Sequence, residues 1–154
     1  MVTRKILRDA LSQSNKREGQ EVRSINWDAI QSTCRLLADH IQSDIIIRDK
    51  AMKGGLLPLA RGGLIPATIL SHMLNLPIPY VLHPQYSIDM PNDGEYVIVD
   101  DICDTGKTFS YYQSLIPRAA RVALFCKPQG RDLCDASVIE VPQDLWLKFP
   151  WEDV

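Results

Sequence analysis

The chain has no apolar run near the roughly 18 residues that a membrane-spanning helix needs. Its 154 residues carry almost no net charge, 17 Lys and Arg against 19 Asp and Glu. A body this close to neutral is not built for bulk attraction to nucleic acid or for stable anchoring on an anionic membrane. Cysteine and histidine are few and poorly spaced for zinc. Cys34, Cys103, Cys126 and Cys134 contain no C-x-x-C pair, and His40, His72 and His83 form no H-x-x-x-H pattern. Such thiols read as reduced and mostly buried in a cytoplasmic protein. The N-terminal MVTRKILRDALSQSNK lacks the apolar core and small-residue cleavage site of a secretory leader. Internal repeats and low-complexity segments are absent as well.

What is present suits one soluble domain: 45% hydrophobic and 23% charged residues, enough for a core without covalent staples. The charge is uneven. Residues 1–24 hold Arg4, Lys5, Arg8, Lys16, Arg17 and Arg23 against Asp9, Glu18 and Glu21, so the remainder is acidic. A basic arm on an acidic body and a solvated helix face both fit that pattern.

Ile6, Leu7, Ala10 and Leu11 suit a short helix, followed by the polar breaker SQSNKREGQE, so residues 1–21 read as an appendage and 22–154 as the domain. Asn26 is placed to cap a helix whose apolar positions are Trp27, Ile30, Cys34, Leu37, Ala38 and Ile41, in steps of three and four. Ile45–Ile47 either extend that helix or form an edge strand. Gly55–Leu59 reads as a buried strand, although Pro58 removes a ladder donor from it. Ala60–Gly63 is the turn after it, and Leu64–Leu74 a helix that tolerates Pro66 in its first turn. Pro79–Leu82 is a short strand and 83–95 a loop. Tyr96–Val99 is a strand leading into Asp100 and Asp101, Thr108–Leu115 a helix, and Arg121–Cys126 and Ser137–Val141 two further strands. Strands alternating with helices predict an α/β fold around a parallel sheet, with ligands at the carboxyl ends of the strands.

The chemistry concentrates in Val97-Ile-Val-Asp-Asp-Ile-Cys-Asp-Thr-Gly-Lys-Thr108. An apolar strand delivers two adjacent carboxylates, then a Thr- and Gly-containing turn, then a helix start. Backbone N–H groups of Asp104–Thr108 and the helix dipole make a phosphate cradle, with hydroxyls from Thr105 and Thr108 and close approach permitted by Gly106. The upstream acids would repel phosphate but suit the vicinal hydroxyls of a sugar or a hard cation such as Mg²⁺. A phosphorylated sugar is the ligand implied. Gly106-Lys107-Thr108 mimics the end of a P-loop, but the glycine required five positions before Gly106 is Asp101. An acidic strand end with a polar helix cap is the purely structural alternative.

This segment resembles the PRPP-binding signature of the type I phosphoribosyltransferases. The resemblance continues, in the same order, through Asn26-Trp27-Asp28, Ala60-Arg61-Gly62-Gly63-Leu64-Ile65-Pro66, Phe125-Cys126-Lys127-Pro128-Gln129-Gly130-Arg131, Val141-Pro142-Gln143-Asp144-Leu145-Trp146-Leu147 and Pro150-Trp151. Those segments are similar to the bacterial xanthine-guanine enzymes across roughly residues 22–153. The resemblance implies a single-domain parallel-sheet fold with a small hood made from the chain ends. It implies transfer of 5-phosphoribosyl from PRPP to N9 of guanine, xanthine or hypoxanthine in purine salvage, giving a nucleoside monophosphate and pyrophosphate. It assigns Asp100 and Asp101 to the ribose hydroxyls and Mg²⁺, with Asp101 the metal ligand and Asp100 its possible companion. Asp104 takes or holds the purine N7 proton, and Thr105, Gly106, Lys107 and Thr108 hold the 5′-phosphate. Arg61 and Gly62 hold pyrophosphate, Lys127 contacts the 6-oxygen, and Trp146 and Leu147 cover the base and present backbone carbonyls to its 2-position. A homodimer or homotetramer is implied too.

Physics supports these roles separately. An ammonium such as Lys127 selects an acceptor at carbon 6 over the amino group of adenine. An apolar lid suits a flat base. The chain departs from the family pattern in a short 86–95 loop, where relatives carry a longer flap, in Gln85 before Tyr86, in Ala60 for a serine, in Cys103 for a larger aliphatic, and in an insertion near Ile45–Lys53. A shorter flap would shield an oxocarbenium-like centre less well. The alternative function is a PRPP- or nucleotide-binding regulator with little or no transferase activity.

Overall fold

The computed structural model describes residues 14–17 and 19–153 of the chain, with side chains from residue 19 onward. The helix expected around Ile6–Leu11 lies outside them. Among the described residues, seven strands form two sheets, accompanied by four α-helices. β1 (Ser14–Arg17), β2 (Gln20–Ser24) and β7 (Trp146–Lys148) make a small sheet from the two ends of the chain. β3 (Leu56–Pro58), β4 (Val97–Cys103), β5 (Ala120–Cys126) and β6 (Ala136–Glu140) make the main sheet, in that order and all parallel. The helices are α1 (Trp27–Ser43), α2 (Ile45–Gly54), α3 (Leu64–Leu74) and α4 (Lys107–Leu115).

Alternation along the strands decides the layers. Val97 and Val99 of β4 pack with Ile30, Leu37, Ala67 and Leu70 of α1 and α3. Ile98, between them, packs with Leu57 and with Phe109 and Tyr112 of α4. Helices thus cover both faces, as an all-parallel sheet requires. α1 starts where expected: Asn26 Oδ1 accepts the Ala29 N–H at 2.8 Å. Its apolar positions from Ile30 to Ile41 are buried, but Trp27 is 52% exposed and lies against Trp151 instead.

Several sequence expectations change in detail. The polar breaker SQSNKREGQE is not a breaker: Ser14–Arg17 and Gln20–Ser24 pair antiparallel as β1 and β2. Ile45–Ile47 neither extend α1 nor form an edge strand. Asp44, in extended conformation, ends α1 and accepts the Ile46 and Ile47 N–H groups at 3.0 and 3.1 Å, starting a second helix. The Pro79–Leu82 strand contracts to one bridge, Leu59 with Leu82. β4 runs on past Asp100 and Asp101, where the sequence ends it, to Cys103.

Pro58 is tolerated for a geometric reason. The outward-facing amides on its side of β3 are those of Leu56 and Ala60, which donate to Pro77 O and Leu82 O at 2.9 and 2.7 Å. Pro58 falls between them, on the outer rail, while Leu59 N on the other rail donates to Val99 O at 2.9 Å. The missing N–H is therefore lost from the weak outer edge and not from the pairing with β4.

Ile98 is fully buried at the centre of the main sheet. Ile98→Ala is expected to lose about 2–5 kcal/mol of unfolding free energy, read from the midpoint of urea denaturation.

Candidate active site

β4 and β5 end on the same rung. Cys103 pairs with Cys126, so the next residues, Asp104 and Lys127, leave the sheet side by side. Lys127 N donates to Cys103 O at 2.9 Å and pins that junction. Lys127 is only 3% exposed, and its Nζ donates to Asp104 Oδ2 at 3.1 Å. A buried ammonium requires such a partner. The second carboxylate oxygen, Oδ1, accepts from Gln143 Nε2 at 2.7 Å. The Gln143 side-chain oxygen in turn accepts the Gln129 N–H at 3.0 Å.

Asp100 and Asp101 are successive residues of one strand that line different cavities, although their carboxyls stay within reach of each other. Asp100 lines a small cavity of about 90 Å³ together with Asp104, Thr105, Gly106, Lys107 and Thr108. Asp101 lines a larger one, about 650 Å³, with Arg61, Gly62, Trp151 and Glu152. The turn at Gly62 packs so tightly on Asp101 that a Cβ there would overlap its carboxylate and force it aside. The Ala60–Arg61 peptide in this turn is cis. Burial, then the neighbouring charge of Asp101, holds the Asp100 carboxyl well above the ordinary range. Burial also raises Asp101, and hydrogen bonds from its surroundings pull it partly back. The Glu152 charge adds to the upward push on Asp101. A pair of buried acids that resist ionising is a pattern shared by functional sites and structural ion networks.

The turn after β4 is suited to an anion. Gly106 caps α4 with φ of 84° and has no side chain to offer the first amides. Lys107 N–H reaches Thr105 Oγ1 only at 3.4 Å. Thr105, Lys107 and Thr108 are exposed, as is Arg61 across the larger cavity.

On the far side, β7 is held by parallel pairing with β2, Val22 opposite Trp146 and Arg23 opposite Leu147. Trp146 is 41% exposed, leaving ring surface open, whereas Leu147 is buried in the core. Leu147 can thus offer a ligand its backbone but not its side chain. Behind it, Trp151 stacks on Phe149 with centroids 4.8 Å apart.

The structure therefore joins Asp104 to Lys127, Asp100 to the Asp104–Thr108 turn, and Arg61 and Gly62 to Asp101. Sequence reasoning missed three participants: Gln143, Trp151 and Glu152. Gln143 and Trp151 fall inside segments singled out for resemblance, and the only other signal for Gln143 was a polar side chain three residues before Trp146. Among the described residues no group of three or more His, Cys, Asp or Glu side chains is arranged to hold a metal by itself.

No family model matches the chain. A xanthine-guanine phosphoribosyltransferase from Desulfotalea psychrophila is 32% identical over 141 residues, covering 83% of this chain and 84% of the relative. Among solved structures, a purine phosphoribosyltransferase from Pyrococcus horikoshii is 28% identical with a TM-score of 0.68, covering 86% of this chain and 95% of that one. The Helicobacter pylori xanthine-guanine-hypoxanthine phosphoribosyltransferase is 16% identical with a TM-score of 0.71, covering 87% and 94%, a likeness of fold alone. The fold these share is that of the type I phosphoribosyltransferases. With close to a third of its residues matched along most of both chains, this protein belongs to the xanthine-guanine phosphoribosyltransferase family. It is a transferase of the purine branch, with PRPP and a purine base as substrates and a nucleotide as product. No helix among the described residues is long and apolar enough to cross a membrane.

The raised Asp100 carboxyl has a consequence for stability. A folded-state value above the unfolded one means that the folded protein binds the proton more tightly, so stability falls as pH rises between the two. Asp100→Asn removes that penalty. It is expected to raise stability at pH 8 and to lose that gain as pH falls below about 4, where the unfolded aspartate also becomes neutral. Thermal melts of the ligand-free protein across that range check it.

Proposed function

We propose that the base is a 6-oxopurine, guanine, xanthine or hypoxanthine, and that the reaction is the Mg²⁺-dependent salvage of that base into its nucleoside monophosphate. The observation that carries this reading is the buried Lys127 ammonium beside Asp104. An ammonium has donors only. It can satisfy a 6-oxygen, whereas the 6-amino group of adenine would set donor against donor in a dry site. The Asp104 carboxylate is an acceptor and matches the N–H at position 7 of the same base edge. The Desulfotalea relative is named for xanthine and guanine.

In this reading the 5′-phosphate of PRPP sits on the amides of Thr105–Thr108 and the hydroxyls of Thr105 and Thr108. Asp100 and Asp101 accept from the ribose hydroxyls. Arg61, with the amides of the Gly62 turn, faces the pyrophosphate and offsets its charge as it leaves. The open ring of Trp146 covers the base, and the backbone of Leu147 meets its 2-position. N9 of the base forms a bond to the anomeric carbon as the bond to pyrophosphate breaks. The proton given up at N7 passes to Asp104. Holding both substrates in line supplies much of the acceleration.

The donor set suits Mg²⁺. That ion keeps several waters and binds through one or two carboxylates together with substrate oxygens, and Asp101 with Asp100 would supply the carboxylates. Bound there it would neutralise the negative charge of the pyrophosphate.

With PRPP and Mg²⁺, at least one 6-oxopurine is expected to yield nucleotide, adenine and orotate none, and excess chelator no product from any base. Asp104→Asn is expected to lower kcat by about 10²–10⁴ with PRPP still bound. PRPP binding without product from any base would overturn the enzymatic reading, and an unchanged rate in Asp104→Asn would overturn the proton role.

A further inference from the structure

Asp104 receives two donors, one on each oxygen, and the two differ in what binding of a base would do to them. Lys127 Nζ, on Oδ2 at 3.1 Å, is the group that turns toward a 6-oxygen when a purine enters. Gln143 Nε2, on Oδ1 at 2.7 Å, has no reason to move. Its amide is locked at the other end, where Oε1 accepts the Gln129 N–H at 3.0 Å. That bond also settles which way the amide faces: a backbone N–H needs the oxygen, so the NH₂ group must face the carboxylate.

We propose that Gln143 is a positioning residue for the transferase reaction. Its NH₂ group holds the Asp104 carboxylate, as acceptor and in register with the purine 7-position, once Lys127 has turned to the base. This rests on the reading of Asp104 given above. Gln143 also ties three pieces of the base site to one another: the β4 end through Asp104, the turn at Gln129 after Lys127, and the segment that leads into Trp146. Asp104 is 45% exposed at its side chain, so without a fixed donor its carboxylate is free to rotate into solvent. Misplacement of a catalytic group by a fraction of an ångström is costly in rate.

Two variants separate positioning from mere support. Gln143→Glu keeps an oxygen for the Gln129 N–H but has no NH₂ group for Asp104. Gln143→Met keeps the length and loses both bonds. Both are expected to lower kcat about tenfold or more, with KM for PRPP within about twofold of the parent. Both are expected to melt lower, Gln143→Met through its lost bonds and Gln143→Glu through repulsion of the Asp104 carboxylate, so the split between kcat and KM carries the distinction. In a double-mutant cycle, Gln143→Met is expected to add nothing to the loss caused by Asp104→Asn, because it acts through that carboxylate. A Gln143→Glu protein with parental kcat would overturn the proposal and leave Gln143 a structural tie. So would full additivity in the cycle. If Asp104→Asn itself were silent, the failure would belong to the proton role, and the proposal would fall with it.

Discussion

Two parallel strands that stop level with each other set the chemistry of this protein. Because Cys103 and Cys126 share a rung, the residues that follow them emerge as neighbours, one acidic and one basic. The Lys127 ammonium is nearly dry, and a lone charge in that position would cost several kcal/mol. Asp104 relieves that cost in the absence of a base and remains half open to whatever enters. A slip of one residue between β4 and β5 would turn one of the pair to the opposite face of the sheet and leave the ammonium unpaired. The core and the site therefore share one requirement, the register of the central pair, which the buried run Ala120–Cys126 enforces along its whole length.

The pleat of β4 performs a second separation. Asp100 opens onto the cavity of the Asp104–Thr108 turn and Asp101 onto the chamber of Arg61 and Gly62, while the two carboxyls stay close enough to interact. Their raised carboxyls mark a place where ionisation would cost the fold stability. The same chamber admits Glu152, a further negative group near Asp101.

Much of this was legible in the residues. Apolar runs such as Val97–Val99 announced the buried strands, steps of three and four announced α1, and Asn26 announced its start. The order of the motifs carried the family. The hood was not legible in its strands, because SNKR and QEVRS are polar and acquire strand character only from partners: β1 from β2, and β2 from a segment more than a hundred residues away. Local pattern carries no record of such long-range pairing. The break between α1 and α2 was hidden for a different reason. Ile45 and Ile46 look like core residues but are 62% and 66% exposed, and the decision lay with the cap at Asp44. Gln143 escaped notice because a single glutamine has no pattern. Its meaning lies in two hydrogen bonds that exist only once three segments meet.

The pairing of β2 with β7 links the two ends of the chain. Gln20 Nε2, at the start of β2, also bonds Asp144 O, 124 positions further on. Contacts of such separation form late, since the closing of so long a loop must wait until the intervening sheet has drawn its ends together. On a ribosome, the strand bearing Trp146 cannot find its partner until nearly the last codon has been read. The nascent chain thus completes the Asp104–Thr108 turn before the strand of Trp146 docks, and a chain cut short near the C-terminus would lack the exposed Trp146 ring and the tie from Gln143 to Asp104.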